Sequence, residues 1–210
     1  MASESRPPVH ESLHVANSSD IYRNDDWWKA VVRYKFDRSD NHEETAVYLW
    51  NNDDGWTRKN KYVIKTIDAW ETDKAIVDRL FSDPSSVMPD NALPVSDYYE
   101  VAAGETVFRS DDWWKAIVKI SKKGSYETEE AMIYLWQETD GDWRRRQKYT
   151  IKSQERWQEE AEVVESILYT GTQRDEEENN ASGGAKTGRP DEFGQLNREL
   201  EKHLSEESVE

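Results

Sequence analysis

The sequence predicts an α+β protein built from two β-β-β(-β)-α repeats. Its antiparallel sheets are expected to carry their helices on one side and to pair as a pseudo-dimer, with a disordered acidic tail behind them. Three observations favour this fold class. The chain contains a tandem duplication, its β-rich segments alternate with a period of two between Asp-Gly turns, and apolar residues at helical spacing follow each set of strands.

The duplication consists of two closely matching segments. Residues 22–32 (YRNDDWWKAVV) align with residues 108–118 (FRSDDWWKAIV) at an offset of 86. The match continues through the Tyr-Leu-Trp sequences that end at Trp50 and Trp136. After one inserted residue the offset becomes 87. Self-similarity at a nearly fixed offset indicates a structural unit that is used twice.

Three strands are predicted in each repeat, and the segment between the repeats leaves room for a short fourth. Residues 28–36 place Lys29, Val31, Arg33 and Lys35 on one face and Ala30, Val32, Tyr34 and Phe36 on the other. Residues 45–50 and 56–65 continue the sheet, joined by an Asp-Gly turn at Gly55. Gly141 marks the corresponding turn of the second repeat.

A helix is predicted after the third strand of each repeat. Asp68 and Glu71 have the spacing of a capping box. The residues that follow at helical spacing are Trp70, Val77, Leu80 and Phe81 in the first repeat and Trp157, Ala161, Val164 and Leu168 in the second. Since one helix covers one face of a sheet, the other face is expected to meet a partner.

Composition divides the chain into five segments. Residues 1–19 are predicted to be a flexible N-terminus, 20–81 and 106–170 the two repeats, 82–105 an acidic linker, and 171–210 a disordered acidic tail. Two interpretations of the end of this tail stay open: a solvated segment, or, given its apolar spacing, a short helix at 191–204 that folds on a protein partner. The linker carries three prolines and no Lys or Arg.

Several chemistries are excluded or disfavoured by residue content. The absence of cysteine excludes disulfides, thiol nucleophiles and finger-type zinc sites. His10 and His14 have the spacing of a metal pair but no third ligand, so no cofactor is predicted. The Asp-Asp pairs at residues 25–26 and 111–112 are interpreted as turns, and no catalytic motif is present, so we expect a protein that is not an enzyme.

Sequence also bears on where the protein acts. Residues 1–20 lack the apolar core of a signal peptide, and no stretch has the length of a membrane span. We therefore expect an intracellular protein without membrane contact, located in the cytoplasm or nucleoid, or in the nucleus of a eukaryote.

Charge is distributed unevenly along the chain. Its formal net charge is −16, but each repeat carries only −2. No acidic residue occurs in residues 27–36, 56–65, 113–123 or 143–152. The acids collect instead in loops and helices. This pattern predicts a cationic sheet surface that faces away from an acidic helical layer and binds a polyanion.

The candidate binding residues are the cations of these segments and one tryptophan from each repeat. They are Lys29, Arg33, Lys35, Trp50, Arg58, Lys59, Lys61, Lys65, Lys115, Lys119, Trp136, Arg144, Arg146, Lys148 and Lys152. On this interpretation the cations hold phosphates while Trp50 and Trp136 stack on bases. Two alternatives stay open: the cations are ordinary solvated residues, and the rings belong to the core beneath the helices.

The motifs resemble the PC4/p15 transcriptional coactivator family and its bacterial YdbC-like relatives. The resemblance rests on YLWNNDDG at residues 48–55, the basic run RKNK at 58–61 and Trp70, with YLW at 134–136, RRR at 144–146 and Trp157 in the second repeat. The glycine-containing run that the family has before its third strand is absent here. The DDWW sequence at residues 25–28 is not associated with the family.

The resemblance implies single-stranded DNA bound across curved antiparallel sheets with helices behind them. We therefore expect a sequence-tolerant single-strand binder of DNA, or of RNA, that acts in transcription or DNA maintenance. The chain would be a monomeric pseudo-dimer or a homodimer. The alternative hypothesis is a protein-interaction scaffold that uses the aromatic sheet surface and the acidic tail.

Overall fold

A computed structural model describes residues 6–36, 43–86, 92–122 and 129–181. In chain order the elements are β1 (Leu13–Arg23), β2 (Trp27–Phe36), β3 (Glu43–Asn52), β4 (Trp56–Ile64), α1 (Ile67–Ser82), a 3-10 turn (Pro84–Ser86), β5 (Tyr99–Arg109), β6 (Trp113–Lys122), β7 (Glu130–Thr139), β8 (Asp142–Ile151) and α2 (Gln154–Ala181). No helix in these ranges is long and apolar enough to span a membrane.

The strands form two four-stranded antiparallel sheets, each with its strands in sequence order. The predicted α+β class and the antiparallel sheets are confirmed. Corresponding residues take corresponding places in the register: Trp28 lies opposite Trp50, and Trp114 lies opposite Trp136. Each hairpin before the last strand turns at a glycine with positive φ, 125° at Gly55 and 88° at Gly141.

Both sheets begin with a strand that the sequence did not clearly predict. β1 starts at Leu13, inside the segment expected to be flexible, and β5 starts at Tyr99, inside the expected linker. Each is an edge strand with two register shifts along its pairing with the next strand. Because bulges interrupt the period of two, these strands lack the alternation that marked β2.

The helices differ from prediction at their ends. Thr66, rather than Asp68, caps α1, and its side-chain oxygen accepts a hydrogen bond from the backbone N–H of Ala69 at 3.1 Å. Ser153 plays the same part for α2. This helix runs to Ala181, so residues 171–181, predicted to be disordered, are helical. Residues 182–210, with the helix predicted at 191–204, lie outside the described residues.

Each sheet has an inner face, defined by Val31, Val47 and Tyr62 in the first repeat and by the corresponding Ile117, Ile133 and Tyr149 in the second. The inner faces and the apolar sides of both helices form one core. Within it α1 lies on β5, β6 and β7, which are strands of the other repeat. The rings of Trp70 and Trp157 meet with centroids 5.3 Å apart. The two repeats therefore share a core that neither completes alone.

The opposite, outer face of each sheet is covered by its own part of the chain. Residues Trp28, Tyr34, Tyr48 and Trp50 form a buried cluster with Leu13, and Val9 and Phe36 pack against it. In the second repeat, Leu93 closes the matching cluster around Trp114, Tyr134 and Trp136. Side chains at the start of β1 and in the segments before β1 and β5 therefore cover the aromatic clusters of the face that the sequence predicts to meet a partner.

The Asp-Asp pairs occupy turns, as predicted. The Asn24 side-chain oxygen accepts hydrogen bonds from the backbone N–H groups of Asp26 and Trp27, at 3.0 and 2.7 Å. The Asp26 carbonyl accepts from the Asn51 side chain and from the Asn52 backbone. These bonds fix the start of β2 and, with it, the position of Trp27.

Candidate nucleic-acid interface

A groove of about 770 Å³ lies between the two repeats. One wall comes from β2, β3 and β4 of the first repeat, and the other from β7, β8 and the start of α2. Five cations and two carboxylates line it: Arg23, Lys29, Lys148, Lys152 and Arg156, with Glu130 and Glu160. Aromatic side chains of both repeats complete the lining, including Tyr22, Trp27 and Tyr99.

The floor of the groove is a buried polar network. The Lys29 ammonium lies 2.6 Å from a Glu160 carboxylate oxygen, which also accepts a hydrogen bond from the Tyr149 hydroxyl at 2.5 Å. Burial lowers the pKa of Lys29, and the charge of Glu160 opposes that shift. Burial, together with the same carboxylate, raises the pKa of Tyr149 well above its usual value. The network links β2 of one repeat to β8 and α2 of the other.

An equivalent network joins a strand of the second repeat to the helix of the first. Lys115 on β6 lies 2.5 Å from Asp73 on α1, and the Tyr62 hydroxyl donates to the same carboxylate. Asp73 is fully buried. The rings of Tyr62 and Tyr149 stack between the two networks, 5.2 Å apart and nearly parallel. Reciprocal contacts of this kind tie each repeat to the other.

These networks correct the predicted placement of two phosphate-binding lysines. Lys29 and Lys115 lie on the inner face, Lys29 being 5% exposed, and each is paired with an acid from the other repeat's helix. The sheet face that carries them is turned toward the helices rather than away. A phosphate could pair with either lysine only by displacing its carboxylate, and a buried charge that loses its partner is costly.

Other predicted cations on β2, on β6 and directly after β4 are also engaged with acids. Arg33 and Lys35 pair with Glu43, Lys65 lies 2.8 Å from Glu44, and Lys119 lies 2.6 Å from Glu129. Burial would raise the pKa of Glu44, but the charge and hydrogen bond of Lys65 outweigh it and the pKa is lowered. These pairs are cross-strand contacts that stabilise each sheet.

The two rings chosen for base stacking are buried on the outer faces. Trp50 is 1% exposed and stacks on Tyr48 at 5.0 Å, and Trp136 is 2% exposed and stacks on Tyr134 at 4.9 Å. They are core residues, although the core they belong to lies on the sheet face opposite the helices. An aromatic sheet surface is therefore not open in the described part of the chain, either to bases or to a protein.

The predicted cations that reach solvent cluster on β4 and β8. Arg58 and Lys59 are exposed on β4, as are Arg144, Arg146 and Lys152 on β8 and just beyond it. Lys152 pairs with Glu130, and Arg146 donates to Gln137 at 2.9 Å. Lys61 and Lys148 are half-buried, with Lys61 lying 5.3 Å from the ring centroid of Tyr34. β4 and β8 lie against each other where the repeats meet.

Several groove residues were not predicted from the sequence, among them one exposed tryptophan. Trp27 is 38% exposed, whereas most of the tryptophans are buried, and it lies in the same groove as Tyr22, Arg23 and Arg156. The position of Trp27 beside an Asp-Asp turn did not indicate a binding role. The same holds for Arg156, which lies on an otherwise acidic helix. No pattern along the chain brings Arg156 together with Tyr22, Arg23 and Trp27, because it comes from the other repeat.

Lys148 is a half-buried cation of the groove that lies near a second positive charge. Burial and the neighbouring charge of Arg145 lower its pKa from 10.5. Its ammonium lies 5.9 Å from the ring centroid of Tyr99. An anion placed beside Lys148 would offset the repulsion from Arg145, so this lysine is suited to meet a negatively charged ligand.

Within the described ranges no group of three or more His, Asp or Glu side chains is arranged to hold a metal ion. The aromatic, amide and charged side chains that line the groove offer stacking, hydrogen bonding and charge pairing. Comparison of the chain with protein-family models, with curated proteins and with solved structures gives no match.

Proposed function

We propose that the chain binds single-stranded nucleic acid in the groove between its repeats. The observation that carries this proposal is an exposed tryptophan, Trp27, in a groove where cations outnumber carboxylates by five to two. A single strand needs cations for its phosphates and an aromatic ring for a base, and such stacking contributes about 1–3 kcal/mol per base.

The charge balance of the groove supports an anionic ligand. Its two acids are already paired, Glu160 with Lys29 and Glu130 with Lys152. Lys148 and Arg156 add positive charge beyond these pairs, and Arg156 is exposed. The net charge of −16 does not oppose this, because binding responds to the local field of the groove rather than to the whole-chain sum.

The shape of the site favours a single strand over a duplex. The groove is concave, and a duplex read through its major groove needs a protruding helix or ribbon. Both helices instead contribute to the shared core, and α2 begins acidic with Glu155. An unpaired strand can enter the groove and present base faces to Trp27 and phosphates to the cations.

The architecture supports the proposed relation to the PC4/p15 family without requiring a second chain. Exchange of helices between repeats and the reciprocal lysine–acid networks are what a pseudo-dimer within one chain needs. On this proposal one chain supplies a complete platform, and the ligand is DNA or RNA without strong sequence preference.

Fluorescence anisotropy of a labelled oligonucleotide of about ten thymidines tests this function. Trp27→Ala is expected to weaken binding about 5- to 150-fold, the equivalent of about 1–3 kcal/mol. Tyr169→Ala is the matched control, because Tyr169 is 40% exposed but does not line the groove. Failure of the wild-type chain to bind even at low salt, or equal binding by Trp27→Ala, would overturn the proposal.

A further inference from the structure

The two repeats of this chain create two related positions between them, and the first holds Trp27, which is 38% exposed and lines the groove. The position that corresponds to Trp27 in the second repeat is Trp113, which is 2% exposed. The duplicated sequence is identical here, DDWW in both copies. The two repeats differ, however, at several corresponding residues of the interface between them.

One such difference is a glutamine that bridges the repeats. Gln147 on β8 is 9% exposed, and its side-chain oxygen accepts a hydrogen bond from the backbone N–H of Val63 on β4 at 3.0 Å. The residue that corresponds to Gln147 in the first repeat is Asn60, which is one methylene shorter and lines the open groove. The longer amide joins β8 to β4.

A second difference concerns charge. Arg156 lines the groove beside the first repeat, and its counterpart in the first repeat's helix is Ala69. The second position therefore lacks the arginine, while Lys65 there pairs with Glu44 in the way that Lys152 pairs with Glu130. Tyr99, another groove residue, is replaced by Leu13, which is buried in the outer-face cluster. The second position therefore has fewer aromatic and cationic side chains at the places that correspond to Tyr99 and Arg156.

We infer that the chain holds one strand, on the Trp27 side, and that the corresponding position beside the buried Trp113 does not bind a second. This inference rests on the proposed function. It adds the number of strands bound per chain and says which of the two related positions binds. A platform made of two identical subunits would present two equivalent sites. Here duplication within one chain has allowed the two sites to differ.

The test uses the full chain and an oligonucleotide of about six thymidines, short enough to occupy one site. Native mass spectrometry is expected to show one oligonucleotide per chain. Tyr22 lines the groove and Phe108 is its counterpart, 41% exposed, so the two form a matched pair. Tyr22→Ala is expected to weaken binding at least about fivefold, whereas Phe108→Ala leaves it unchanged.

The possible outcomes separate the inference from the function on which it rests. Two oligonucleotides per chain, or equal losses from Tyr22→Ala and Phe108→Ala, would show that both positions bind and would overturn the one-sided site while leaving single-strand binding intact. No complex with the wild-type chain would overturn the proposed function itself. A complex of one to one that depends on Tyr22 alone supports both.

Discussion

Trp27 and Trp113 begin the second strands of their sheets in the same sequence motif, yet one is 38% exposed and the other 2%. The helix of the other repeat contributes different residues: Arg156 lines the groove that holds Trp27, whereas the residue that corresponds to Arg156 in the first repeat is Ala69. The comparison teaches that, in a duplicated chain, the environment of a residue is set by the partner repeat as much as by its own motif.

The interior gives the opposite result. Lys29 with Glu160 and Tyr149, and Lys115 with Asp73 and Tyr62, form the same arrangement on both sides of the stacked tyrosines. The acid differs only in length. Pairing of the repeats thus needs the same network twice, whereas the flanks of the interface have been free to diverge.

Among the proposed substitutions, loss of a buried cation from the shared core should lower the free energy of unfolding most. Lys115→Met leaves the fully buried Asp73 without its ion-pair partner, and the other Asp73 oxygen already has no hydrogen-bond partner in the described part of the chain. We expect a loss of about 3–5 kcal/mol in the free energy of unfolding, measured by urea denaturation.

Lys59→Met is the control for this change, since Lys59 is exposed on β4 and should alter stability by less than about 0.5 kcal/mol. Replacing Asp73 by leucine together with Lys115→Met removes both charges and should recover much of the loss. Equal stability of Lys115→Met and the wild type would contradict a role for the network in joining the repeats.

Two tryptophans sharpen the comparison between buried and exposed rings. Trp50→Ala empties part of the outer-face core and should cost about 3–5 kcal/mol of stability. Trp27→Ala removes a partly exposed ring and should cost less than about 1 kcal/mol. Thermal or chemical denaturation of both variants measures the difference, and a similar loss from each would show that Trp27 is a structural residue.

The pH dependence of binding gives a smaller and more specific effect. The pKa of Lys148 is lowered in the free protein, and a nearby phosphate would raise it, so binding takes up a proton between the two values. Affinity should be greatest below the lowered pKa and fall about two- to fivefold as the pH rises through it.

Lys148→Arg provides the control, because arginine stays charged over this range and should flatten the profile. Anisotropy titrations from about pH 7 to about pH 10 compare the two proteins. Identical profiles would show that Lys148 does not meet the ligand.

The sequence predicted the repeated unit well and the binding site poorly. The duplication, β2 to β4 with their turns, and the apolar sides of the helices are marked by local periodicity, which a linear reading detects. β1 and β5 were obscured by bulges. Alternating lysines on β2 were interpreted as exposed, because the acids that neutralise them lie far away in the chain.

One signal could have revealed the buried networks. Asp73 and Glu160 each follow the helix tryptophan by three residues and therefore lie on the apolar side of α1 and α2. An acid in that position needs a buried partner, and lysines on the facing strands are the available ones. The groove could not have been found in this way, since its two walls meet only after the repeats have paired.

The salt dependence of binding tests the central claim, that the groove holds the phosphates of a single strand, most directly. The logarithm of the affinity for an oligonucleotide of about ten thymidines should fall linearly with the logarithm of salt concentration, and Arg156→Ala should reduce the steepness by about 0.7. Arg79→Ala, an exposed arginine outside the groove that pairs with Glu105, should leave the slope unchanged. Equal slopes for the wild type and both variants would contradict the account.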